Sequence, residues 1–552
     1  MRLSAHRPRA SIGVFSLLLL LFFCQSALAA GAAKNVIVLI ADGTGAEQYT
    51  LARWFKGAPL AQDAILTGMV RTHISDSVVA DSAPSGSAYA TGTRTSDKFI
   101  SVGPRAKVLS SEPSPPEELR YRPLATVLEG ARVQGRSTGI VATAGVWHAT
   151  PAAFYAHVPS RTLESTIMKQ GVHQGIDVVL GGGRGYLTPK HAGGLREDGQ
   201  DLAAVLRERG YELPTTAKEL GAAKGPKIFG LFAGGHMAPD LDRAALAPQE
   251  PALAEMTAKA IAVLSKNPKG FFLMVEGSQV DWADHANDPA HLISDLLAFD
   301  RAVQTALDYA KKRKDTLVLV VSDHNTGGMS IGNMRTNKSY TQTSVEDLLE
   351  PLRKMRASAA ALWARLGKDQ TPERLQAVVR EDWGLSITAE EAKLVLEAAA
   401  AYPEEPYYAL GQILCPRYTV LGWTTHGHTG GDVPMFAYGP GGPKGLIAGF
   451  EFGQATAKAL GIDLAALNRR LFVDAALAFP PGSVRLDETD KNAPVLRIEH
   501  QGRRAELPVN TNLLRMDGRE LHLEGLVIHA PDTGRTYVPA QAVQRILGKR
   551  VP

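Results

Sequence analysis

The chain has 552 residues, of which 45% are apolar and 21% are charged, and its mean hydropathy is -0.08. This composition excludes a disordered chain, a collagen-like fibre and a multi-span membrane protein, and it indicates a large globular protein. The formal net charge of +4 does not indicate a nucleic-acid partner.

The first 29 residues have the three parts of a secretory signal peptide. Arginines at positions 2, 7 and 9 form a basic start, an apolar run covers 12–23, and Ala27 and Ala29 form a small-x-small cleavage motif. The alternative is a retained membrane anchor, but the apolar run is shorter than the roughly 20 residues that cross a bilayer. We therefore expect a periplasmic or secreted protein with no membrane span after cleavage. Cleavage leaves Cys415 as the single cysteine, which excludes an intrachain disulfide.

Short apolar runs then alternate with segments of helical period. The runs predict buried parallel strands over 35–41, 137–143, 177–180, 270–275, 316–321 and 434–438. Helical spacing of apolar residues covers 124–133, 253–264 and 290–310. This alternation predicts an α/β fold with a mostly parallel central sheet and helices on both faces.

Two regions interrupt the alternation. Residues 332–415 are predicted to form a helical insertion, with helix starts at Ser344 and Thr388, each followed three residues later by an acidic residue. After a Pro-Pro-Gly break at 480–482, alternating runs over 495–498 and 521–528 flank an Asp517-Gly518 turn. We therefore expect a signal peptide over 1–29, a main α/β domain over 30–480, and a small β-rich module over 490–552.

Acidic residues follow three of the predicted strands. Asp42 comes directly after the first strand, Glu276 after the strand at 270–275, and Asp323 and His324 after the strand at 316–321. Ligands in open α/β sheets gather at the carboxyl ends of the strands. Each residue alone could be a helix cap or a turn former, but three together favour a shared site.

Further metal-ligand types follow along the chain. Asp281 and His285 are four residues apart, so on a helix they share a face, and His428 lies in a glycine-rich loop. Carboxylates combined with imidazoles suit zinc, whereas oxygen atoms alone suit magnesium. A lone histidine in such a loop is more often structural, and the neighbouring carboxylates weaken that alternative.

A candidate nucleophile lies near the start of a predicted helix. Ser82 precedes Pro84, which suits a first helical turn, and the N–H groups of that turn favour an anion. The structural alternative is that Ser82 is simply the N-cap of the helix.

The chain resembles the alkaline phosphatase family in seven segments that occur in that family's order. The segments are Asp42-Gly43-Thr44-Gly45, Asp81-Ser82-Ala83, His148-Ala149-Thr150-Pro151, Val275-Glu276-Gly277, Asp281 with His285, Ser322-Asp323-His324, and His428-Thr429-Gly430. They lie within residues 35–452. His148 stands near the family's magnesium position, where some members have aspartate, so the resemblance leaves the metal preference there open. Trp282 stands where others have lysine or histidine.

The resemblance implies a role for each matched position. Ser82 matches the serine that becomes phosphorylated, and Arg161 matches the arginine that holds the phosphate. The matched metal ligands fall into three sets: Asp281, His285 and His428 for one Zn²⁺; Asp42, Asp323 and His324 for a second Zn²⁺, which also binds Ser82; and Asp42, Thr150 and Glu276 for Mg²⁺. Trp282 would either stack on or screen the substrate, or pack on the helical insertion.

The sequence therefore predicts an exported phosphomonoester hydrolase that acts on small phosphate monoesters through a phosphoserine intermediate. It has no predicted nucleic-acid specificity, and the resemblance implies a homodimer. One alternative is a phosphodiesterase or a sulfatase of the same superfamily. The other is a non-catalytic phosphate-binding protein whose C-terminal module contacts the cell surface.

Overall fold

A nine-stranded sheet forms the centre of the molecule. The structure, a computed structural model, describes residues 33–338 and 340–548, so the predicted signal peptide lies outside the described residues. The strands of the sheet are β1 (Asn35–Ala41), β2 (Leu66–Arg71), β3 (Ser137–Gly145), β4 (Val178–Gly182), β5 (Ile228–Leu231), β6 (Phe271–Gly277), β7 (Thr316–Val321), β12 (Val433–Tyr438) and β13 (Gly445–Ala448). Their order across the sheet is β13-β2-β12-β7-β1-β6-β3-β4-β5.

The sheet is parallel except for one strand. β12 runs antiparallel to both of its neighbours, β2 and β7, whereas the other pairs are parallel. The predicted fold class is confirmed, but the prediction that 434–438 is a parallel strand was wrong. A strand that is buried on both faces is a continuous apolar run whether it is parallel or antiparallel to its neighbours. The run therefore does not indicate the direction of the strand.

Side chains of the central strands alternate between two hydrophobic cores. Along β1, Val36, Val38 and Ile40 point into one core, and Ile37 and Leu39 point into the other. Helices cover both faces and bury these side chains. The helices up to β7 are α1 (Ala46–Lys56), α2 (Ser82–Thr91), α3 (Val127–Val133), α4 (Ala149–Ala152), α5 (Glu164–Gln174), α6 (Leu202–Glu208), α7 (Ala217–Ala222), α8 (Asp240–Leu246), α9 (Leu253–Leu264), α10 (Gln279–His285) and α11 (Pro289–Lys311).

Five helices lie between β7 and β12 in the described part of the chain. Ser344 and Thr388 cap two of them as predicted, since each side chain accepts a hydrogen bond from the backbone N–H three residues later. The helices are α12 (Val345–Lys354), α13 (Ala359–Leu366), α14 (Pro372–Trp383), α15 (Ala389–Ala399) and α16 (Tyr408–Tyr418). Four short strands border this region: β8 (Asn325–Thr326), β9 (Ser330–Ile331), β10 (Leu421–Gly422) and β11 (His428–Thr429).

Three helices and a short strand lead from β13 to the C-terminal part of the chain. They are α17 (Gly449–Leu460), α18 (Leu464–Leu471), β14 (Val473–Asp474) and α19 (Ala475–Ala478). β14 pairs with a strand near the C-terminus, so this connection is itself part of a small C-terminal sheet. Among the residues that the structure describes, no helix has the length and apolar character that a membrane crossing requires.

The C-terminal strands form two antiparallel sheets. One sheet has five strands: β15 (Val484–Asp487), β16 (Val495–His500), β17 (Arg503–Pro508), β18 (Leu513–Met516) and β19 (Arg519–His522). The other joins β14 to β20 (Ile528–Ala530) and β21 (Arg535–Val538), and the chain continues into α20 (Ala540–Leu547). Asp517 and Gly518, both at positive φ, form the predicted turn between β18 and β19. The predicted run over 521–528 is not one strand, because β19 ends at His522 and β20 begins at Ile528.

Candidate active site

Four adjacent parallel strands bring the predicted site residues to one edge of the sheet. β7, β1, β6 and β3 are neighbours in that order. Asp42 follows β1, Glu276 lies near the end of β6, and Asp323 and His324 follow β7. Thr150 lies on α4, the short helix that follows β3.

Asp42, Asp323 and His324 form a fully buried group. His324 Nε2 lies 3.5 Å from Asp42 Oδ1 and 3.3 Å from Asp323 Oδ2. The backbone N–H of Gly43 donates to Asp323 Oδ1 at 3.2 Å, which orients that carboxylate. The three side chains offer donor atoms within 4.8 Å of one another, a spacing that one cation can bridge.

A second group consists of Asp281, His285 and His428. α10 presents Asp281 and His285 on one face, with Asp281 Oδ2 3.2 Å from His285 Nε2. His428 arrives from β11, and its Nε2 lies 3.2 Å from His285 Nε2 and 3.7 Å from Asp281 Oδ1. The Nδ1 atom of each imidazole contacts a backbone carbonyl, which orients the ring. His285 Nδ1 bonds to the carbonyl of His426, and His428 Nδ1 lies 2.8 Å from that of Ala80.

A third group is built around Asp42 and Glu276. Thr150 Oγ1 donates to Asp42 Oδ2 at 3.4 Å, so the predicted Thr150 is present in this group. His148 also belongs to it, because its ring nitrogen lies within 4.8 Å of the carboxylate oxygens of Asp42 and Glu276. The sequence placed His148 near this group without assigning it as a ligand. Asp42 is thus shared between two groups.

These donor sets suit divalent cations. Four carboxylate oxygens are buried with no hydrogen-bond partner among the described residues: Asp42 Oδ1, Asp323 Oδ2 and both oxygens of Glu276. Burial and the neighbouring carboxylates raise the pKa of Asp42 well above its usual value, and burial with the nearby Asp323 raises the pKa of Glu276 to about 8. Burial and the charge of Asp281 raise the pKa of Asp323 to about 6. Cations would neutralise this buried negative charge and provide partners for the unpaired oxygens.

Ser82 is the first residue of α2 and faces the Asp42 group. Its Oγ lies 3.1 Å from His324 Nε2, and the side chain is buried. The N-cap of α2 is Asp81, so Ser82 is not the cap and its hydroxyl is free for chemistry. A Cβ at Gly86 would lie 3.1 Å from Ala153 Cβ, so the absence of a side chain there allows α2 to pack closely beside α4. The N–H groups of the first turn of α2 add a positive potential around the serine oxygen.

Arg161 is held on two sides. Nη1 donates to Asp81 Oδ1 at 2.5 Å, and Nη2 donates to His148 Nε2 at 2.7 Å. Burial and the charge of Arg161 keep the pKa of His148 well below its usual value, so the neutral imidazole can accept this bond. The guanidinium is therefore tied to the residue that precedes Ser82.

Thr326 connects two of the groups, and the sequence reasoning missed it. Its Oγ1 donates to Asp281 Oδ1 at 2.6 Å and lies 3.2 Å from His324 Nδ1. The available signal was a hydroxyl residue two positions after His324, a pattern common in ordinary turns. Gly43 is required beside it, because at φ +71° a Cβ would lie 2.9 Å from the Asp281 Cα.

Trp282 lies against two histidines of the site. Its ring centroid is 5.4 Å from that of His148 and 4.4 Å from that of His236. Among the described residues, the ring contacts of Trp282 are with these two histidines, both outside the helical insertion. Trp282 thus packs on His148, the residue that holds Arg161.

A cavity of about 760 Å³ opens over the second group of ligands. Asp81, His285 and His428 line it. The rest of the lining combines small and apolar residues with charges of both signs, from Asp76, Asp97, Lys98 and Arg105. The site is therefore accessible to a small molecule from this side.

Comparisons with known proteins identify the relatives of this chain. The family model described as alkaline phosphatase matches residues 33–460. Alkaline phosphatase 4 of Bacillus subtilis is 36% identical over 434 residues, which cover 75% of this chain and 86% of the relative. Alkaline phosphatase 3 of the same organism is 34% identical over 448 residues, with coverage of 77% and 89%.

The chain belongs to the alkaline phosphatase family. The resemblance noted from the seven segments is thereby confirmed, and the chain is an enzyme of the phosphoric monoester hydrolase class. The crystal structure of Thermus thermophilus alkaline phosphatase superposes with a TM-score of 0.70 at 27% identity, covering 83% of this chain and 96% of that one. A mutant alkaline phosphatase of the Antarctic bacterium TAB5, solved with magnesium bound, gives 0.55 at 27% identity, covering 79% and 99%.

Proposed function

We propose that this enzyme hydrolyses small phosphate monoesters through a phosphoserine formed on Ser82, in a site that holds two Zn²⁺ and one Mg²⁺. One observation carries the proposal. The Ser82 hydroxyl lies 3.1 Å from His324, within the group that shares Asp42 with the Glu276 group. A nucleophile at a helix start beside clustered ligands is the arrangement that phosphoryl transfer requires.

The three groups divide by donor chemistry. The two groups that combine carboxylates with imidazoles suit Zn²⁺, and the Asp42–Thr150–Glu276 set, with its oxygen donors, suits Mg²⁺. Bound, these cations would lower the pKa of the Ser82 hydroxyl and stabilise the negative charge of the leaving alkoxide. His148 is an imidazole beside the magnesium set, and it could bind a softer cation there only by giving up the hydrogen bond that it accepts from Arg161.

Ser82 provides the covalent chemistry. Its Oγ attacks phosphorus and loses its proton, the ester P–O bond breaks, and the alcohol leaves after taking up a proton. Water then attacks the phosphoserine, the bond between phosphorus and Ser82 Oγ breaks, and the serine hydroxyl and inorganic phosphate are formed. The α2 amides stabilise the negative oxygens in both steps.

Arg161 orients the phosphoryl group. Asp81 and His148 fix the plane of the guanidinium, so its remaining N–H donors can bind two phosphate oxygens in one geometry. A lysine at this position would supply the charge without the planar pair of donors.

The leaving group faces the polar cavity over His285 and His428. Because that cavity is open and lined by charges of both signs, we assign most of the binding energy to the phosphoryl group. We therefore expect broad tolerance for the alcohol.

Comparing three substrates tests the reaction class. Hydrolysis of p-nitrophenyl phosphate should exceed that of bis-p-nitrophenyl phosphate and of p-nitrophenyl sulfate by several orders of magnitude. The phosphodiesterase and sulfatase alternatives predict the reverse order for their own substrate, and a non-catalytic binding protein would hydrolyse none of the three.

Ser82→Ala tests the nucleophile. The variant should lose roughly three or more orders of magnitude in kcat while retaining its bound metal, because the side chains of all three ligand sets remain. Chelation of the wild-type enzyme should abolish turnover, and added Zn²⁺ with Mg²⁺ should restore it. Full activity in Ser82→Ala would exclude Ser82, and activity unaffected by chelation would exclude the metals.

The remaining expectations concern the whole chain. The proposal includes a signal peptide over 1–29 and a periplasmic or secreted location, a catalytic domain over 30–480 with a helical insertion over 332–415, and a separate module over 490–552. It also includes a homodimer and contact of the module with the cell surface. Fractionation of expressing cells and sedimentation of the purified enzyme test the location and the oligomeric state.

A further inference from the structure

A second cavity, of about 660 Å³, lies between α5 and the C-terminal module. The first turn of α5 and Lys169 line it from the catalytic side. Lys491, Asn492 and Asn510 line it from the module side. None of these residues belongs to the site described above.

Lys169 is a buried cation on the catalytic side of this cavity. The residue is 7% exposed, and its Nζ makes neither a hydrogen bond nor an ion pair within the part of the chain that the structure describes. Burial lowers the pKa of this ammonium, as expected for a charge held away from water. A buried ammonium with three unused donors is costly unless an anion accepts from it.

The charged neighbours of Lys169 in the cavity are already satisfied. Arg196 binds Asp198, with Nε 3.0 Å from Oδ1, and Lys190 binds Glu197 at 2.6 Å. The Glu164 carboxylate accepts a hydrogen bond from the Tyr186 hydroxyl. The lining acids therefore have partners of their own. The charges of Asp198 and Asp490 act on Lys169, but neither carboxylate forms an ion pair with it among the described residues.

The start of α5 adds further free donors. Its N-cap is Leu163, which has no side-chain acceptor, and the amides of Glu164, Ser165 and Thr166 have no acceptor in the described residues. α5 has 11 residues, so its first turn carries the positive end of a full helix dipole. Lys169 lies one turn beyond Ser165 and Thr166, on the same face of the helix.

The module supplies the opposite wall. Gln170 Nε2 donates to Asn510 Oδ1 at 2.9 Å, which turns the Asn510 amide nitrogen away from Gln170 as a free donor. Lys491 has no ion-pair partner among the described residues. Both walls thus present hydrogen-bond donors, and the lining carries four cationic side chains beside the three acids whose partners are given above.

We propose that this cavity is a second oxyanion site, which binds a phosphate group between the Lys169 ammonium and the first-turn amides of α5. A tetrahedral oxyanion matches a site made of amides and an ammonium, whereas a neutral ligand would leave the buried charge unpaired. The proposal does not depend on the assignment of Ser82. Because α5 begins three residues after Arg161, the bound anion links the module to the chain segment that carries the phosphate-binding arginine.

Isothermal titration calorimetry of the metal-loaded enzyme with inorganic phosphate tests the site. The wild type should bind two phosphates per chain, one at the active site and one in this cavity. Lys169→Gln should weaken the second event at least about tenfold, since it removes a charge-assisted hydrogen bond. Lys190→Gln is the matched control, because that lysine lines the same cavity but is paired, and it should retain two events.

Two further variants separate this site from the active site. Arg161→Ala should weaken the active-site event and leave the Lys169-dependent event, and the double variant should lose both. Lys169→Met is a second variant that removes the charge. Thermal unfolding of both Lys169 variants checks that the fold is intact, and we expect neither substitution to lower the stability, because each removes a buried charge. Acetate at equal ionic strength tests for a carboxylate ligand instead. One phosphate per wild-type chain, unchanged titration of Lys169→Gln, or tighter binding of acetate than of phosphate would overturn the proposal.

Discussion

Thr326 illustrates how a single hydroxyl can organise a site to which it contributes no ligand. Thr326 takes no part in the reaction itself, but its Oγ1 contacts Asp281 of one group and His324 of another. Such contacts fix the orientation of ligands before a cation arrives. Thr326 is fully buried, so replacing its hydroxyl by a water molecule would cost free energy.

Thr326→Val removes the hydroxyl with little change in side-chain volume. It should therefore weaken zinc binding by roughly 10- to 100-fold. Competition with a chelator, followed by metal analysis, measures the effect. Thr326→Ser retains the hydroxyl and should stay close to the wild type. Equal zinc affinity in Thr326→Val and the wild type would contradict the bridging role.

Glu129 is a buried carboxylate away from the site, and it supports stability. Its oxygens lie 3.2 Å from His157 Nε2, 2.8 Å from Gln174 Nε2 and 2.9 Å from the Thr126 amide. Burial alone would raise the pKa of Glu129, but His157 and the Thr126 amide outweigh burial and hold the pKa below its usual value. The unfolded chain thus binds this proton more readily than the folded one.

Glu129→Gln should cost about 2 kcal/mol of unfolding free energy at neutral pH, because it removes one member of a buried charged network. The contribution of Glu129 is complete above the pKa of the unfolded chain and is lost as the pH falls through the lower folded-state pKa. Denaturant unfolding at several pH values should therefore show the difference between wild type and variant shrinking in acid.

Glu255→Gln is the control for that measurement. Glu255 also accepts a bond from the N-cap amide of its helix, at 2.8 Å from Ala252, but it is exposed. We expect a change of less than about 0.5 kcal/mol. A pH-independent difference for Glu129→Gln would argue against the charged network.

At the scale of elements, the contact between α2 and α17 holds the nucleophile in position. A Cβ at Gly453 would lie 2.4 Å from the carbonyl oxygen of Ala88 and 2.8 Å from that of Tyr89, so the two backbones touch. The Tyr89 hydroxyl donates to the carbonyl of Ser322 at 2.7 Å, which ties α2 to the end of β7. The position of Ser82 therefore depends on a helix contact at the far end of α2.

Gly453→Ala should lower stability by about 1–3 kcal/mol, because backbone atoms cannot move aside as a flexible side chain can. It should also reduce kcat, since α2 must shift. Gly449→Ala, on the same helix, places its Cβ 3.4 Å from a Tyr89 ring carbon and should be tolerated. Thermal unfolding and p-nitrophenyl phosphate turnover measure both variants, and similar behaviour of the two would refute the close-contact explanation.

At the scale of the whole molecule, the C-terminal strands share a hydrophobic cluster with the catalytic part. Leu526, Ile528 and Tyr537 pack with Leu471 and Phe472. Hydrogen bonds cross the same boundary, from the side chain of Arg132 to the Glu524 carbonyl and from that of Arg209 to Asn512. This shared core predicts that the two parts unfold together.

Leu526→Ala should lower the unfolding free energy by about 2–5 kcal/mol, as for other fully buried leucines. Circular dichroism and residual phosphatase activity should report the same shifted midpoint. Leu477→Ala is the control, since Leu477 lies nearby on α19 and is 83% exposed, and it should leave the midpoint unchanged. Separate transitions for structure and activity in the wild type would show that the shared cluster does not couple the two parts.

Local patterns along the chain were enough to predict the fold class, the helix caps at Ser344 and Thr388, and the residue types of the site. Each relies on nearest neighbours in sequence: an apolar run followed by an acid, a hydroxyl three residues before a carboxylate, or a turn dipeptide. The order of the matched segments also identified the family, because many weak local signals were combined.

The contacts between distant segments needed the folded chain. The adjacency of β7, β1, β6 and β3, the reversed direction of β12, the inclusion of His148 in a ligand group and the unpaired Lys169 each depend on residues far apart in sequence. Strand order and side-chain partners are decided when the whole apolar surface packs together. A local sequence pattern indicates which side chains become buried, but it does not indicate which residues they contact.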